Sequence, residues 1–150
     1  MAEFTAVAEQ SVAMNQPVVF TDTIVPCRAG LINHLDNTGL FVLAGIQSDS
    51  GCCCCGNDPE YFAEFHANIA VPEDGTAGEI GLSMSIGGVI LPASIMVATP
   101  TAVQAFWNVG TAGSVPVWGN CCQQFAIVNV SDSNQNVSVR NARLRIGLNN

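Results

Sequence analysis

The sequence predicts an all-β domain, an antiparallel sandwich or barrel, and three observations carry that prediction. Apolar and polar residues alternate from Phe4 onward, broken about every eight to twelve residues at Gly, Pro or Asn, as in short strands joined by tight turns. No long stretch repeats its apolar residues at helical spacing. Fourteen Gly and seven Pro in 150 residues supply the turns that such a fold requires.

The strand-like runs, in order, are residues 4–12, 17–25, 39–46, 61–71, 79–86, 89–98, 123–130 and 136–148, about eight strands. In the fourth, Tyr61, Ala63, Phe65, Ala67 and Ile69 fall on one face and Phe62, Glu64, His66 and Asn68 on the other, so the first set is the expected core. In the fifth, Ile80, Leu82, Met84 and Ile86 alternate with Gly81, Ser83 and Ser85, a face so bare that another sheet or subunit is expected against it. In the last, Val137 and Val139 are odd-numbered while Ala142, Leu144, Ile146 and Leu148 are even. One extra residue near Arg140 or Asn141, a β-bulge, restores the register and puts Arg143 and Arg145 together on the polar face.

One short helix is expected after Thr99, with Pro100 at its first position and Ala102, Val103, Ala105 and Phe106 at helical spacing. Residues 72–76 read as a hairpin turn, and residues 48–58 as a cysteine-rich loop inserted in a single domain spanning 1–150. The chain is long enough to bury a core without cysteines, and no apolar run reaches the roughly 18 residues of a membrane-spanning helix.

The charge balance narrows the function. There is no Lys, and Arg28, Arg140, Arg143 and Arg145 face twelve carboxylates, for a net charge of −8. Three clustered Arg on an acidic domain give too weak a field for nucleic acid, and a solvated strand face accounts for them. With only 11% charged residues, the surface is covered by hydroxyl, amide and apolar groups, as suits a subunit packed against neighbours. The first ten residues carry two Glu and no basic region, which does not read as a secretion signal. Synthesis in the cytoplasm followed by release into an oxidising medium reconciles that with seven cysteines.

Cys27, Cys52, Cys53, Cys54, Cys55, Cys121 and Cys122 are the expected crosslink set, with disulfides pinning the loop to the sandwich. The alternative is a metal held by Cys52, Cys55, Cys121 and Cys122, with His34 or His66 as a further ligand. Four adjacent cysteines do not suit one tetrahedral ion, because successive side chains of an extended chain point apart and zinc ligands are normally spaced. Cys52 and Cys55 have C-x-x-C spacing, but Gly56, Asn57, Asp58 and Pro59 follow where a redox site needs a helix.

No nucleophile elbow, H-E-x-x-H helix, phosphate loop or dinucleotide fingerprint is present, so His34 and His66 read as surface or interface residues and no enzyme and no cofactor are expected. The acidic stretch at 72–76 lacks the ligand spacing of an EF-hand. The sequons at Asn129 and Asn136 are read as chance. Phe62, Phe106, Trp107 and Trp118 are candidates for subunit contacts, with core packing the competing account of each.

Several segments in their order resemble a known group: NQPVVFTDT, NTGLFVLAG, FAEFHANIAVP, LSMSIGGVILPAS with its Gly-Gly hairpin, and AIVNVSDSNQNVSVRNARLRIGL, read as a closing hairpin. Over residues 8–148 they resemble the trimeric jelly-roll domains of the complement and tumour-necrosis-factor superfamily, including the C-terminal domains of bacterial collagen-like spore-surface glycoproteins. HANIAVPEDGTAGEI, ATPTAVQAFWNV and the paired Cys before the last segment also look like stand-alone proteins of phages and prophages of gut Firmicutes. The resemblance implies an eight-stranded jelly-roll sandwich forming a homotrimer. It implies a structural role on a virion surface, as a capsid decoration or head-fibre subunit contacting the major capsid protein or a surface glycan. The alternative it implies is a bacterial cell-surface or spore-surface module recognising a glycan or host protein. The chain lacks the Gly-X-Y stalk of the collagen-like group, which favours the first.

Overall fold

The alternating segments form strands throughout. The computed structural model describes residues 1–27, 30–45, 59–117, 122–132 and 134–149. Its strands are β1 (Ala2–Ala6), β2 (Gln10–Val12), β3 (Asp22–Val25), β4 (Ile32–His34), β5 (Phe41–Ala44) and β6 (Glu60–Ala70), followed by β7 (Ile80–Ile86), β8 (Val89–Ile90), β9 (Met96–Ala98), β10 (Trp107–Pro116), β11 (Cys122–Asn129) and β12 (Val137–Leu148). One sheet has the order β10-β6-β12-β1-β3, with β2 also on β12; the other has β4-β5-β11-β7-β8, with β9 also on β7. All pairings are antiparallel, and the chain changes sheets at β3/β4, β5/β6, β6/β7, β9/β10, β10/β11 and β11/β12. This is the expected all-β jelly-roll sandwich.

Its interior is where the period of two placed it. Tyr61, Ala63, Phe65, Ala67 and Ile69 are buried, as are Ile80, Leu82, Met84 and Ile86. Five phenylalanines join the layers: Phe41 of β5 meets Phe4 of β1, Phe20 and Phe125 of β11, and Phe20 meets Phe65 of β6, all edge to face with centroids 4.7 to 6.4 Å apart. Rings this close add edge-to-face attraction to the burial of their area.

The bulge in the last strand is present. β12 shifts register against β6 between Arg140 and Arg143, and Asn141 takes a positive φ of 52°. Val137 and Val139 on one side of it, and Ala142, Leu144 and Ile146 on the other, all point into the core. The same bulge divides the first run, because the Asn141 N–H donates to Val7 O between β1 and β2.

Other expectations are corrected. The count is twelve strands among the described residues, not about eight, since two runs are interrupted and β4 and β10 lay outside the strand-like runs. Residues 99–106 contain no helix: Gln104 has a φ of 58° and its N–H donates to Val71 O at 2.8 Å, which ties the connection to the end of β6. A 3-10 turn at Pro92–Ser94 is the helical element among the described residues. The bare face of β7 is not free, because the chain's own turn covers it. Ser94 Oγ accepts from the Met84 N–H at 2.9 Å and lies 3.0 Å from Ser83 Oγ, while Gly81 packs against Val130 and Met96. The turn at 72–76, closed by Gly75 N–H to Pro72 O, is not a hairpin turn, since it joins strands of opposite sheets. The closing segment is likewise a crossing from β11 to β12. The Gly87-Gly88 hairpin is real, with both φ values positive, as its two-residue loop requires.

Candidate functional site

The second face of β6 is the outer surface of its sheet, and register brings three of its neighbours into line there. Glu3 of β1, Arg145 of β12, Glu64 of β6 and Ala112 of β10 form one row across the strands. Thr5, Arg143, His66 and Gly110 form the next, and Gly147, Phe62 and Ser114 a third. Arg143 and Arg145 share this face because the bulge restores register, as the sequence predicts.

The charged groups in these rows are paired. Arg143 Nε donates to Glu3 Oε1 at 2.8 Å, and Arg145 Nε lies 3.4 Å from Glu3 Oε2, in ion-pair range but off hydrogen-bond geometry. Arg145 Nη1 is 3.7 Å from Glu64 Oε2, whose other oxygen is 2.9 Å from His66 Nε2. The Arg143 hydrogen bond, more than the attraction of the two guanidinium charges, holds the Glu3 carboxyl below its ordinary value and raises Arg143 in turn. His66 lowers Glu64 in the same way. These arginines are not a freely solvated strand face but half of a charge-balanced network, two carboxylates against two guanidinium groups.

Beside the network the face is bare. The outward residues of β10 are Asn108, Gly110, Ala112 and Ser114, and the His66 ring lies over Gly110 so closely that a Cβ there would sit 2.3 Å from Nδ1. Phe62 stands beside this shelf with 45% of its surface exposed. The bare face expected on β7 is therefore found on β10, a strand outside the runs read from the sequence.

The remaining candidates lie apart. Trp107 is 48% exposed at the free edge of β10, and Phe106 carries the Arg140 guanidinium 3.7 Å above its ring. His34 stacks on Phe41 at 4.5 Å and bonds Thr38 O through Nε2, so it edges the core. Asn129 is buried with its amide bonded to Val12 O, Gln135 O and the Ser131 N–H, a structural pin at that sequon.

Cys27 and Cys122 lie at one pole. Cys122 pairs with Ala44, Val117 N–H donates to Pro59 O, and Tyr61 OH donates to Ala44 O and Leu31 O. A cleft of about 310 Å³ opens there among Val25, Cys27, Leu31, Ile32, Tyr61 and Leu148. Burial first, then the charges of Cys27 and Cys122, push the Tyr61 hydroxyl up to about 12. Cys52, Cys53, Cys54, Cys55, Cys121 and Trp118 lie outside the described residues, as does the whole loop 48–58. Among the described residues no disulfide is formed and no three side chains converge as metal ligands.

Known proteins share this fold. The globular domain of zebrafish complement 1qA protein matches with a TM-score of 0.64 at 13% identity, covering 98% of this chain and 94% of that one. Eiger TNF from S. frugiperda matches at 0.65 and 7% identity, covering 99% and 90%, and murine APRIL at 0.53 and 9%, covering 92% and 94%. No family model and no curated protein matches the sequence. The chain thus has the jelly-roll fold of C1q-like and TNF-like domains.

Proposed function

We propose that this chain is a non-enzymatic structural subunit that works as a homotrimer, decorating or projecting from a phage capsid at the virion surface after synthesis in the cytoplasm. The observation that carries the self-association is the outer face of β10, β6, β12 and β1. On a chain of net charge −8 it is charge-balanced at its centre, flat along β10 and flanked by exposed Phe62. Like-charged copies repel, so they meet where charge is already neutralised. The phage assignment is supported by the motifs at residues 66–80 and 98–109 and by the Cys pair at 121–122.

Two measurements test this. Sedimentation of the purified protein is expected to give about three times the 15.7 kDa chain mass. Mass spectrometry of particles from an induced prophage that encodes the chain is expected to find it in the virion, and its absence overturns the capsid role. A second reading, a bacterial surface module recognising a glycan, is supported by a cleft of about 620 Å³ bordered by Gln10, Ser11, Gln16, Asn37 and Thr38. Such amides and hydroxyls suit sugar hydroxyls, and a glycan array tests that reading.

A further inference from the structure

A further row crosses the outer face of β6, at the end away from Phe62. In it Asn108 of β10, Asn68 of β6 and Arg140 of β12 stand side by side. The register shift between Arg140 and Arg143 puts Arg140 in this row and keeps it out of the Glu3 network. Arg143 and Arg145 are held by carboxylates, whereas Arg140, exposed on a chain of net charge −8, makes no ion pair among the described residues. Even Glu9, next to the Gln10 that pairs with Val139, stays outside ion-pair range of it. The guanidinium carbon instead sits 3.7 Å from the centre of the Phe106 ring. Attraction to the ring fixes the group through one face and leaves its N–H edges open. The ring is itself anchored, since the Gln104 N–H bonded to Val71 O ties down the connection that carries it. The two amides are half used: Asn108 Nδ2 donates to Asn68 Oδ1 at 3.1 Å, which leaves Asn68 Nδ2 and Asn108 Oδ1 as a neighbouring donor and acceptor.

We infer that this row is a binding site for a carboxylate-bearing sugar, a uronic acid, with Arg140 receiving the carboxylate and the Asn68–Asn108 pair a ring hydroxyl. A guanidinium presents its N–H groups as a planar fork that matches the two oxygens of a carboxylate. A hydroxyl both donates and accepts, so it satisfies an adjacent donor and acceptor together; a phosphate or sulfate oxygen only accepts and satisfies one of them. A polyanion such as nucleic acid needs many cations to hold it, and the acidic remainder of the chain repels it. A single carboxylate carried on a polyhydroxyl ring is the chemistry that the three side chains match. The inference stands apart from the proposed self-association, whose contact is centred on the paired charges and Phe62.

Side-chain amide NMR of the full chain tests it, with sodium glucuronate, glucose, acetate and N-acetylglutamate titrated at one ionic strength. Glucuronate is expected to shift the Asn68 and Asn108 amide signals to saturation. Acetate, which lacks the hydroxyls, is expected to bind about tenfold more weakly, and glucose, which lacks the charge, not to saturate. Arg140→Gln is expected to weaken glucuronate binding by about tenfold or more, as the loss of a charge-assisted hydrogen bond requires. Asn108→Asp sets a carboxylate beside the guanidinium and should abolish binding, while Glu9→Gln removes a neighbouring negative charge and should tighten it. Arg140, Asn108 and Glu9 are exposed, so the variants are expected to melt with the wild type. Arg140→Gln binding glucuronate like the wild type overturns the site. Wild type binding acetate or N-acetylglutamate as tightly as glucuronate overturns the sugar as its ligand.

Discussion

Arg143 Nε donates to Glu3 Oε1 at 2.8 Å, joining the strand nearest the start of the chain to the one nearest its end. The contact lowers the Glu3 carboxyl from 4.5, so the folded state binds its proton less readily than the unfolded state does. The stabilisation is therefore complete above pH 4.5 and is lost as pH falls through the depressed folded value. Glu64, lowered chiefly by His66, acts in the same window and with the same sign. The melting temperature is expected to fall on acidification below that point, and Glu3→Gln to flatten the fall. Equal acid sensitivity in Glu3→Gln and wild type would sink the argument.

Two glycines separate steric need from propensity. A Cβ on Gly39 would lie 2.3 Å from Val18 O and 2.5 Å from Pro17 Cβ, where the connection between β2 and β3 crosses the start of β5. Backbone oxygen has no rotamer to escape into, so Gly39→Ala is expected to cost about 3 kcal/mol, at the upper end of ordinary overpacking. Gly113 in β10 has open space around it. Gly113→Ala is expected to stabilise by about 0.5 kcal/mol, through lower entropy of the unfolded chain. Urea unfolding of both variants checks the pair, and equal midpoints contradict it.

Ser94 closes a gap in a ladder. Between β8 and β9 the turn at Pro92–Ser94 lifts the backbone away from β7, and the Ser94 hydroxyl takes the Met84 N–H that a strand carbonyl would otherwise accept. It donates in turn to Leu91 O at 2.8 Å. Ser94→Ala leaves a buried N–H without an acceptor, a loss of about 1 to 3 kcal/mol. The denaturation midpoint should drop while the slope stays constant; an unchanged midpoint means another acceptor replaces the hydroxyl.

What the sequence made legible follows from which physics is local. Alternation at 61–71 and the parity change around Asn141 are set by the two-residue period of a strand, so the buried faces and the bulge were readable directly. The strand β10 was not, because its Gly110 answers a requirement set by His66, a residue far away in sequence. The turns at 72–76 and 131–136 read as hairpin turns, because nothing in them shows whether the next strand pairs with the last or crosses to the other layer. Glu3 likewise gave no local signal: an acidic residue in an opening strand becomes part of a network only when β12 is laid beside it.

Tyr61 offers a spectroscopic test of the cysteine pole, since it is the only tyrosine in the chain. Its hydroxyl titrates near 12 in the folded protein, raised by burial first and then by the Cys27 and Cys122 charges. A raised acid of this kind contributes stability that is complete below its unfolded value of 10.0 and is lost as pH climbs from there through about 12. Phenolate absorbance is expected to appear near 12 in native protein and near 10.0 after denaturation. Crosslinked cysteines carry no thiolate, so on the disulfide reading the midpoint of oxidised protein lies below that of reduced protein, though still above 10.0 because burial remains. Cys27→Ser with Cys122→Ser should reproduce the lower midpoint under reducing conditions. If reduction leaves the wild-type midpoint where it was, neither Cys27 nor Cys122 belongs to a disulfide.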